Sequence, residues 1–319
     1  MRRGAAAAGI GLATLTALVW GGQFVVGKSA LDRVNAFPLT TVRYAVAAAL
    51  LLAILAAVEG RDALRLDGRA RELVWLGTLG FAGFNLLAYT GLAHARPESA
   101  ALIVALGPLL TALVLWRRTG ARPPASTFVL LGLALVGVFL VLSNGHPSTV
   151  VGGSVGWGDG LVLAGAFSFV LYGIGAADHP ELSPLRYTAL TAALGWPTIA
   201  AATAVAIGSG LVAAPSGHEL WTIAPQIAYL ALPGAVVAML AWNAAIERIG
   251  VQNVALFGNL IPVTTFAIQI ARGYRPDWVE AGGAVLTVAA LVANSLRARG
   301  ARRAVDVAAV EVAAAVEAA

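Results

Sequence analysis

The chain of 319 residues has no cysteine and little charge, since charged residues form only 12% of it. The absence of cysteine excludes disulfides, thiolate nucleophiles and cysteine metal sites. A soluble domain carries roughly 25% charged residues, whereas apolar residues form 59% of this chain. The charges are also bunched between long apolar runs. Most of the chain is therefore predicted to lie in lipid.

Catalytic groups at membrane depth are lacking too. No Asp or Glu lies near the centre of a long apolar run, and the 4 histidines fall at run ends or in loops. There is no HExxH motif, no pair of intramembrane aspartates and no Ser with a His at similar depth. The sequence therefore indicates no enzyme, no metal site, no cofactor and no buried carboxylate relay for protons. Its basic residues have a topological explanation, so nucleic acid is not an expected partner.

Ten apolar runs approach the length of about 20 residues that a helix needs to cross a bilayer. Their approximate limits are 9–31, 37–58, 72–93, 98–116, 126–143, 156–177, 184–208, 223–246, 252–271 and 278–296. The first run resembles a secretory signal, but its apolar stretch continues to Ala30 and further runs follow, so it is interpreted as a span. Period-2 stretches typical of a membrane barrel are absent. The sequence predicts an all-α integral membrane protein with ten transmembrane helices.

Arginine is concentrated in alternate connections. If the N-terminus is inside, the inside segments include the arginine-rich loops at 59–71 and 117–125 and the tail at 297–319. The outside segments then hold only Arg33, Arg96, Arg272 and Arg275. Because inside loops carry the excess of Lys and Arg, we expect a multi-pass protein of the cell (inner) membrane with both termini cytoplasmic. The tail is predicted to be a frayed helix and is assigned no function.

The chain repeats itself at an interval of five runs. "FPLTTVRYAVAAAL" resembles "LSPLRYTALTAALG", which matches Arg43-Tyr44 with Arg186-Tyr187. "SAALIVALGPLLTALVLW" resembles "QNVALFGNLIPVTTFAIQ", which matches Pro108 with Pro262. Five is odd, so the second copy crosses the membrane in the opposite sense. Such inverted repeats are typical of alternating-access transporters with a site near the midplane. The predicted units are 1–148 and 149–296, followed by the tail.

Four segments resemble the drug/metabolite transporter superfamily, specifically EamA-type permeases. They are "LVWGGQFVVGKSAL", "FPLTTVRYAVAAALLLA", "GWGDGLVLAGAFSFVLYG" and "LAWNAAIERIGVQNVALFGNLIPVTTFAI". The resemblance implies ten helices in two inverted halves around a central cavity, and export or exchange of small metabolites such as amino acids. One departure is the Gly-Glu that many members carry after the fourth and ninth spans. This chain has Trp116-Arg117-Arg118 and Ala271-Arg272-Gly273 there, so no role is carried over for those carboxylates.

Asn259 and the two prolines are the first candidates for a site. Proline inside a helix removes a hydrogen bond and clashes with the preceding turn, so Pro108 and Pro262 are predicted to kink their spans. Asn259 lies three residues before Pro262, and an amide turned toward lipid would lack partners. It is therefore predicted to face the bundle interior. There it either lines a substrate cavity or bonds a neighbouring helix.

Eight other polar and aromatic residues within the spans are candidates for binding substrate. They are Trp20, Gln23, Asn85, Tyr89, Phe169, Tyr172, Trp242 and Asn243. The first two lie near mid-span beside glycines that permit close approach, and the next four form two pairs at helical spacing. Core packing is the alternative for all six. The last two lie nearer the inner end of the eighth span, where an interfacial aromatic belt is the alternative for the tryptophan.

Lys28 and Arg43 are the cations nearest to lipid depth. Each lies within about two turns of the outer end of its span. They either extend toward the headgroups or form a carboxylate-binding site or gate at the outer mouth.

Taken together, the sequence favours a transporter, an exporter or exchanger of small polar metabolites such as amino acids, working by alternating access within membrane lipid. The amides and aromatic rings suit a neutral or zwitterionic solute. A non-transporting receptor or scaffold is the competing class, and sugars, nucleobases or drugs are the alternative substrates.

Overall fold

The computed structural model describes residues 2–120, 122–142, 156–250, 253–254, 256–290, 292–293 and 297. Within that part of the chain every regular element is helical. Seven helices there are long and apolar enough to cross a membrane, and three further apolar helices are shorter. The all-α membrane class is thereby confirmed. The predicted helix in the tail lies outside the described residues, apart from residue 297.

The apolar helices are numbered here in chain order. They are α1 Arg2–Leu31, α2 Ala36–Val58, α3 Ala70–Ala93, α4 Ser99–Thr119, α5 Ala125–Leu142, α6 Trp157–Asp178, α7 Pro184–Gly208, α8 Ala224–Ile249, α9 Phe257–Ala271 and α10 Trp278–Ala290. Two short helices, Arg61–Leu64 and Gly217–Thr222, lie in the connections.

Side-chain caps set the start of several helices. The Asn35 side chain accepts a hydrogen bond from the Phe37 backbone N–H at 3.1 Å and begins α2. Ser183 accepts from the Arg186 backbone N–H at 3.0 Å and begins α7, with Pro184 as its first residue. Such caps satisfy backbone donors that the first helical turn leaves unpaired. The caps therefore fix where each helix begins. They thereby also fix the depth in the bundle of the residues that follow.

Two helices contain a π-helical segment, in which the hydrogen-bond ladder widens. These segments are Thr78–Gly83 in α3 and Leu230–Val237 in α8. The second contains Pro233, which cannot donate to the α-helical ladder. π-Helical segments are frequent at functional sites, and these two occur five helices apart.

The helices that carry Pro108 and Pro262 are interrupted just before each proline. The helical segment Pro97–Val104, which overlaps the start of α4, ends before the second segment of α4, Gly107–Thr119, which has Pro108 in its first turn. In α9, the 3-10 turn Leu256–Asn259 precedes the α-helix Leu260–Ala271, which has Pro262 in its first turn. The chain therefore breaks at matching places in α4 and α9.

The main helix contacts also recur at an interval of five. Helix α1 packs on α8 and α9, and α6 packs in the same way on α3 and α4, while α2 packs on α7. Two of the interfaces are formed by glycines at backbone contact distance. Gly77 of α3 meets Gly195 of α7, and Gly137 of α5 meets Gly283 of α10. Small residues allow membrane helices to approach this closely.

Candidate functional site

Three helices converge on the guanidinium group of Arg43. Arg43 is the eighth residue of α2, about 10 Å along the axis from the helix start at the usual rise per residue. Its Nη1 donates to the Tyr89 hydroxyl at 2.8 Å and to Asn85 Oδ1 at 3.2 Å, and its Nη2 donates to Gln23 Oε1 at 3.2 Å. The group also lies 4.8 Å from the centre of the Tyr44 ring. Arg43 is 2% exposed.

Two of the acceptors around Arg43, Asn85 and Gln23, contact the π-helical segments. Asn85 Nδ2 donates to the Phe81 carbonyl at 2.9 Å and to the Tyr44 hydroxyl at 3.0 Å, and Phe81 lies in the π-helical segment of α3. Gln23 packs against Gly234, in the π-helical segment of α8. The guanidinium group is thus met by preoriented neutral oxygens from α1 and α3.

Arg43 has no acidic partner in the part of the chain that the structure describes. The salt bridges found there join residues at helix ends and in connections, and none includes Arg43. Its Nε atom has no hydrogen-bond partner either. The interpretation that Arg43 extends to the headgroups is therefore wrong, because packing against α1 and α3 keeps the group inside the bundle.

Lys28 holds a different position. Its Nζ donates to the Leu92 and Ala93 carbonyls at 3.0 and 2.7 Å, which are the last carbonyls of α3. A cation is stabilised there by the helix dipole. Lys28 also lines a cavity of about 290 Å³ between the ends of α1 and α9 and the start of α4. Asp32, Gln269 and Arg272 line it as well.

The aromatic candidates form a continuous row of rings. The Trp20 ring centre lies 5.1 Å from that of Trp242 and 5.6 Å from that of Phe169, and Phe169 stacks on Tyr172 at 5.7 Å. Trp242 is 9% exposed. The interfacial-belt alternative for Trp242 is therefore wrong, because this side chain is covered by α1 and α6.

The row of rings leads to the Arg43 group. Tyr172 lies 5.4 Å from Phe81, and Phe81 lies 5.3 Å from Tyr44, measured between ring centres. The Trp20 indole donates to the Gly234 carbonyl at 3.1 Å, one turn of α1 from Gln23. The aromatic candidates and the Arg43 acceptors thus belong to one region at the meeting of α1, α2, α3, α6 and α8.

The two candidate asparagines of the second half, Asn243 and Asn259, differ in their hydrogen bonding. Asn243 Nδ2 donates to Thr188 Oγ1 at 2.6 Å and to the Tyr172 hydroxyl at 3.2 Å, while its Oδ1 has no partner. Asn259 is 1% exposed, and neither atom of its amide has a partner within the described residues. Beside it, Gly258 is buried, and no atom of the described residues lies within 4 Å of the point where its side chain would project. Among the residues that the structure describes, Asn259 therefore makes no bond to a neighbouring helix.

Sequence reasoning missed Tyr44 and Thr188 as members of this region. Tyr44 follows Arg43 in the Arg-Tyr pair that recurs at Arg186-Tyr187, so the repeat was a signal for it. Thr188 carried no signal, since a threonine one residue after that pair is unremarkable by itself.

Three arginine–carboxylate ion pairs and one histidine–carboxylate contact join the two halves of the chain at one end of the bundle. Arg186 bonds Asp67 at 2.7 Å, Arg69 bonds Glu181 at 3.1 Å, Glu72 bonds His179 at 3.1 Å and Arg118 bonds Asp178 at 2.9 Å. We call these four contacts the ion-pair end. Hydrogen bonds from its own backbone N–H and from His179 hold the pKa of the Glu181 carboxyl below its ordinary value. The Lys28 cavity lies at the opposite end of the bundle, next to the C-terminus of α1.

The described residues contain no group of three or more acidic or histidine side chains that could hold a metal ion. The chemistry offered by the region is therefore that of one guanidinium group, several amides, hydroxyls and aromatic faces.

Comparison with known proteins identifies a family and several proteins that this chain resembles. The sequence model of the EamA-like transporter family matches twice, over residues 7–143 and 156–296. The uncharacterized transporter YrdR of Bacillus subtilis is 28% identical over 301 residues, which covers 90% of this chain and 92% of YrdR. The uncharacterized transporter YyaM of the same organism is 32% identical over 259 residues, covering 79% and 82%. A solved crystal structure shares the fold at a TM-score of 0.65 and 20% identity, covering 94% of this chain and 99% of its own.

Proposed function

The chain belongs to the EamA-like transporter family, and from that premise we propose that it carries small polar metabolites, in particular amino acids and related compounds, by alternating access. It is a multi-pass membrane protein of a transporter family. The observation that carries the proposal is the buried group of Arg43, Gln23, Asn85 and Tyr89. A polar group of this size at membrane depth is costly, and such groups mark solute or ion pathways.

We propose that 1–148 and 149–296 are two five-helix repeats of inverted orientation around a central cavity. Three features support this arrangement. The family model matches each half separately, the π-helical segments and proline breaks recur five helices apart, and the helix contacts recur at the same interval. An odd number of spans per repeat inverts the second copy.

Alternating access then takes the form of one half rocking against the other. The ion-pair end closes one side, since its four contacts each join one half to the other. In each pair at least one side chain is more than 40% exposed, and ion pairs open to solvent contribute little stability, so the closed side can open without a large cost. The Lys28 cavity is the open feature of the opposite side.

We further propose that the ion-pair end is cytoplasmic, as are both termini. The arginine-rich loop at 59–71 lies at this end, and arginine-rich loops stay inside. The cavity beside Lys28 then opens outward. The membrane is the cell membrane.

Uptake into proteoliposomes tests the function. The purified chain is reconstituted and tested with radiolabelled amino acids, sugars and nucleobases against protein-free liposomes. Saturable flux of amino acids supports the proposal, and flux confined to sugars or nucleobases would replace the substrate class. Absence of flux for every compound would favour the receptor or scaffold alternative.

A further inference from the structure

Arg43 is a buried cation that the described protein does not neutralise. Taking an ion out of water costs several kcal/mol even after relaxation, and a buried charge is ordinarily paired. Here the charge meets only neutral oxygens and the faces of Tyr44 and Tyr89. Its Nε is left without a partner. The Arg43 guanidinium group thus lacks the acidic partner of a structural ion pair. It is suited to bind an anion.

We propose that Arg43 binds the carboxylate of the transported solute. This inference rests on the transport function proposed above and narrows its substrates to amino acids and other small carboxylic acids. Neutral sugars and nucleobases offer no anionic group, so they would leave the buried charge uncompensated.

The hydrogen bonds around Arg43 show which atoms the carboxylate would replace. Asn85 Oδ1 and Gln23 Oε1 each accept at 3.2 Å, longer than the 2.8 Å bond to Tyr89. A carboxylate binds a guanidinium group through two parallel hydrogen bonds that are shorter and stronger than those to a neutral amide. The solute therefore has two weakly held neutral acceptors to displace. The Tyr89 hydroxyl can keep its place.

The Lys28 cavity and the Arg43 group both adjoin α1. Gln23 lies just over one turn before Lys28 on α1, and Gly27 packs on the Tyr89 ring. Arg43 does not line the cavity in this structure. Lys28 and Arg272 line the cavity together with Asp32, which leaves one excess positive charge.

Arg186 provides a matched control. It holds the equivalent place in the second Arg-Tyr pair, but its guanidinium group bonds the Asp67 carboxylate and the carbonyls of Ala63 and Arg65. Arg186 already has an acidic partner and lies at the ion-pair end. Its substitution removes the same side chain without touching the proposed carboxylate site.

The test compares acids with their amides. The full chain in proteoliposomes is assayed for uptake of radiolabelled amino acids, with competition by each unlabelled amino acid and by its α-amide. For the wild-type chain we expect the amide to compete at least about tenfold more weakly than the acid, because it cannot form the charge-assisted pair. Arg43→Gln should bring the acid-to-amide ratio close to one, and Arg186→Gln should leave the ratio unchanged.

The outcomes separate this inference from the transport function. Flux in the wild-type chain with equal competition by acid and amide overturns the carboxylate site and leaves the transporter standing. A full acid preference in Arg43→Gln, with only a lower melting temperature, assigns Arg43 to structure and also overturns it. Should Arg43→Gln fail to fold, Arg43→Lys decides, since it should retain a reduced acid preference. Absence of flux for every probe removes the transport function and this inference together.

Discussion

Arg43 and Arg186 each precede a tyrosine near the start of a helix, yet only Arg186 is paired with a carboxylate in the described structure. Arg186 Nη2 lies 2.7 Å from Asp67 Oδ2, whereas Arg43 Nη2 lies 3.2 Å from the neutral Gln23 Oε1. Two like residues at matching places in the repeat pattern thus have opposite surroundings. Arg186 joins the two halves at the ion-pair end, whereas Arg43 leaves a positive charge inside the bundle.

The backbone contact between α3 and α7 predicts that one added methyl group at this contact destabilises the protein. A Cβ at Gly77 would collide with the Thr191 carbonyl oxygen, and one at Gly195 would collide with the Gly77 carbonyl. Neither obstacle is a flexible side chain. We expect Gly77→Ala to destabilise the protein by about 1 to 3 kcal/mol through overpacking. The measurement is the melting temperature of the purified chain in detergent.

Gly132 of α5 is the matched control for this substitution. A Cβ there meets nothing within 4 Å, so Gly132→Ala should keep or raise the melting temperature, because alanine favours a helix by up to about 1 kcal/mol. Equal melting temperatures for the two variants would mean that α3 and α7 are not in backbone contact.

The helical class could be predicted because it follows from local composition. The run at 37–58 corresponds to α2 at Ala36–Val58 and the run at 184–208 to α7 at Pro184–Gly208, since apolar length and capping residues set both ends. The π-helical segments could not be predicted. Leu230–Val237 widens its ladder around Pro233 while Trp20 bonds the Gly234 carbonyl, and that contact joins residues far apart in the chain.

Several residues of the candidate site could be singled out from the sequence, but their assembly could not. Spacing alone placed Asn85 and Tyr89 on one helical face, and both bond Arg43. The burial of Arg43 depends on α1 and α3 closing over it, which no pattern within α2 reveals. For the same reason the position of Trp242 in its span allows an interfacial location, which its contact with Trp20 excludes.

The orientation can be tested with cysteines, since the chain has none of its own. Arg65 lies at the ion-pair end and its side chain is exposed, and Gly217 is exposed in the connection before α8. On intact cells, a membrane-impermeant thiol reagent should label Gly217→Cys. It should label Arg65→Cys only after the cells are permeabilised, because arginine-rich loops stay inside. The reverse pattern would overturn the proposed topology.

Transport should not require a proton gradient. Within the described helices, the buried carboxyl groups of Asp159 and Glu280 are each the third residue of a helix, and Glu280 is paired with Arg96 at 2.7 Å. Neither lies at mid-span, where a proton-relay carboxylate is ordinarily found. In vesicles energised only by a pH gradient, a protonophore should leave solute movement unchanged. Loss of uphill uptake on its addition would show proton coupling.

Asn259 and Asn243 should respond oppositely to the same substitution. Asn243→Leu removes hydrogen bonds to Thr188 and Tyr172, so it should lower the melting temperature by the equivalent of about 1 to 3 kcal/mol. Asn259→Leu removes a buried amide that has no partner in the described residues, so it should keep or raise the melting temperature.

If the solute supplies the missing partner of Asn259, the affinity of Asn259→Leu for the solute should fall about tenfold or more, since a lost buried hydrogen bond costs about 1 to 3 kcal/mol. Both quantities are measured on each purified variant with the amino acid that shows the highest flux. Unchanged affinity in Asn259→Leu would remove Asn259 from the site, and a lowered melting temperature with unchanged affinity would assign it to helix packing.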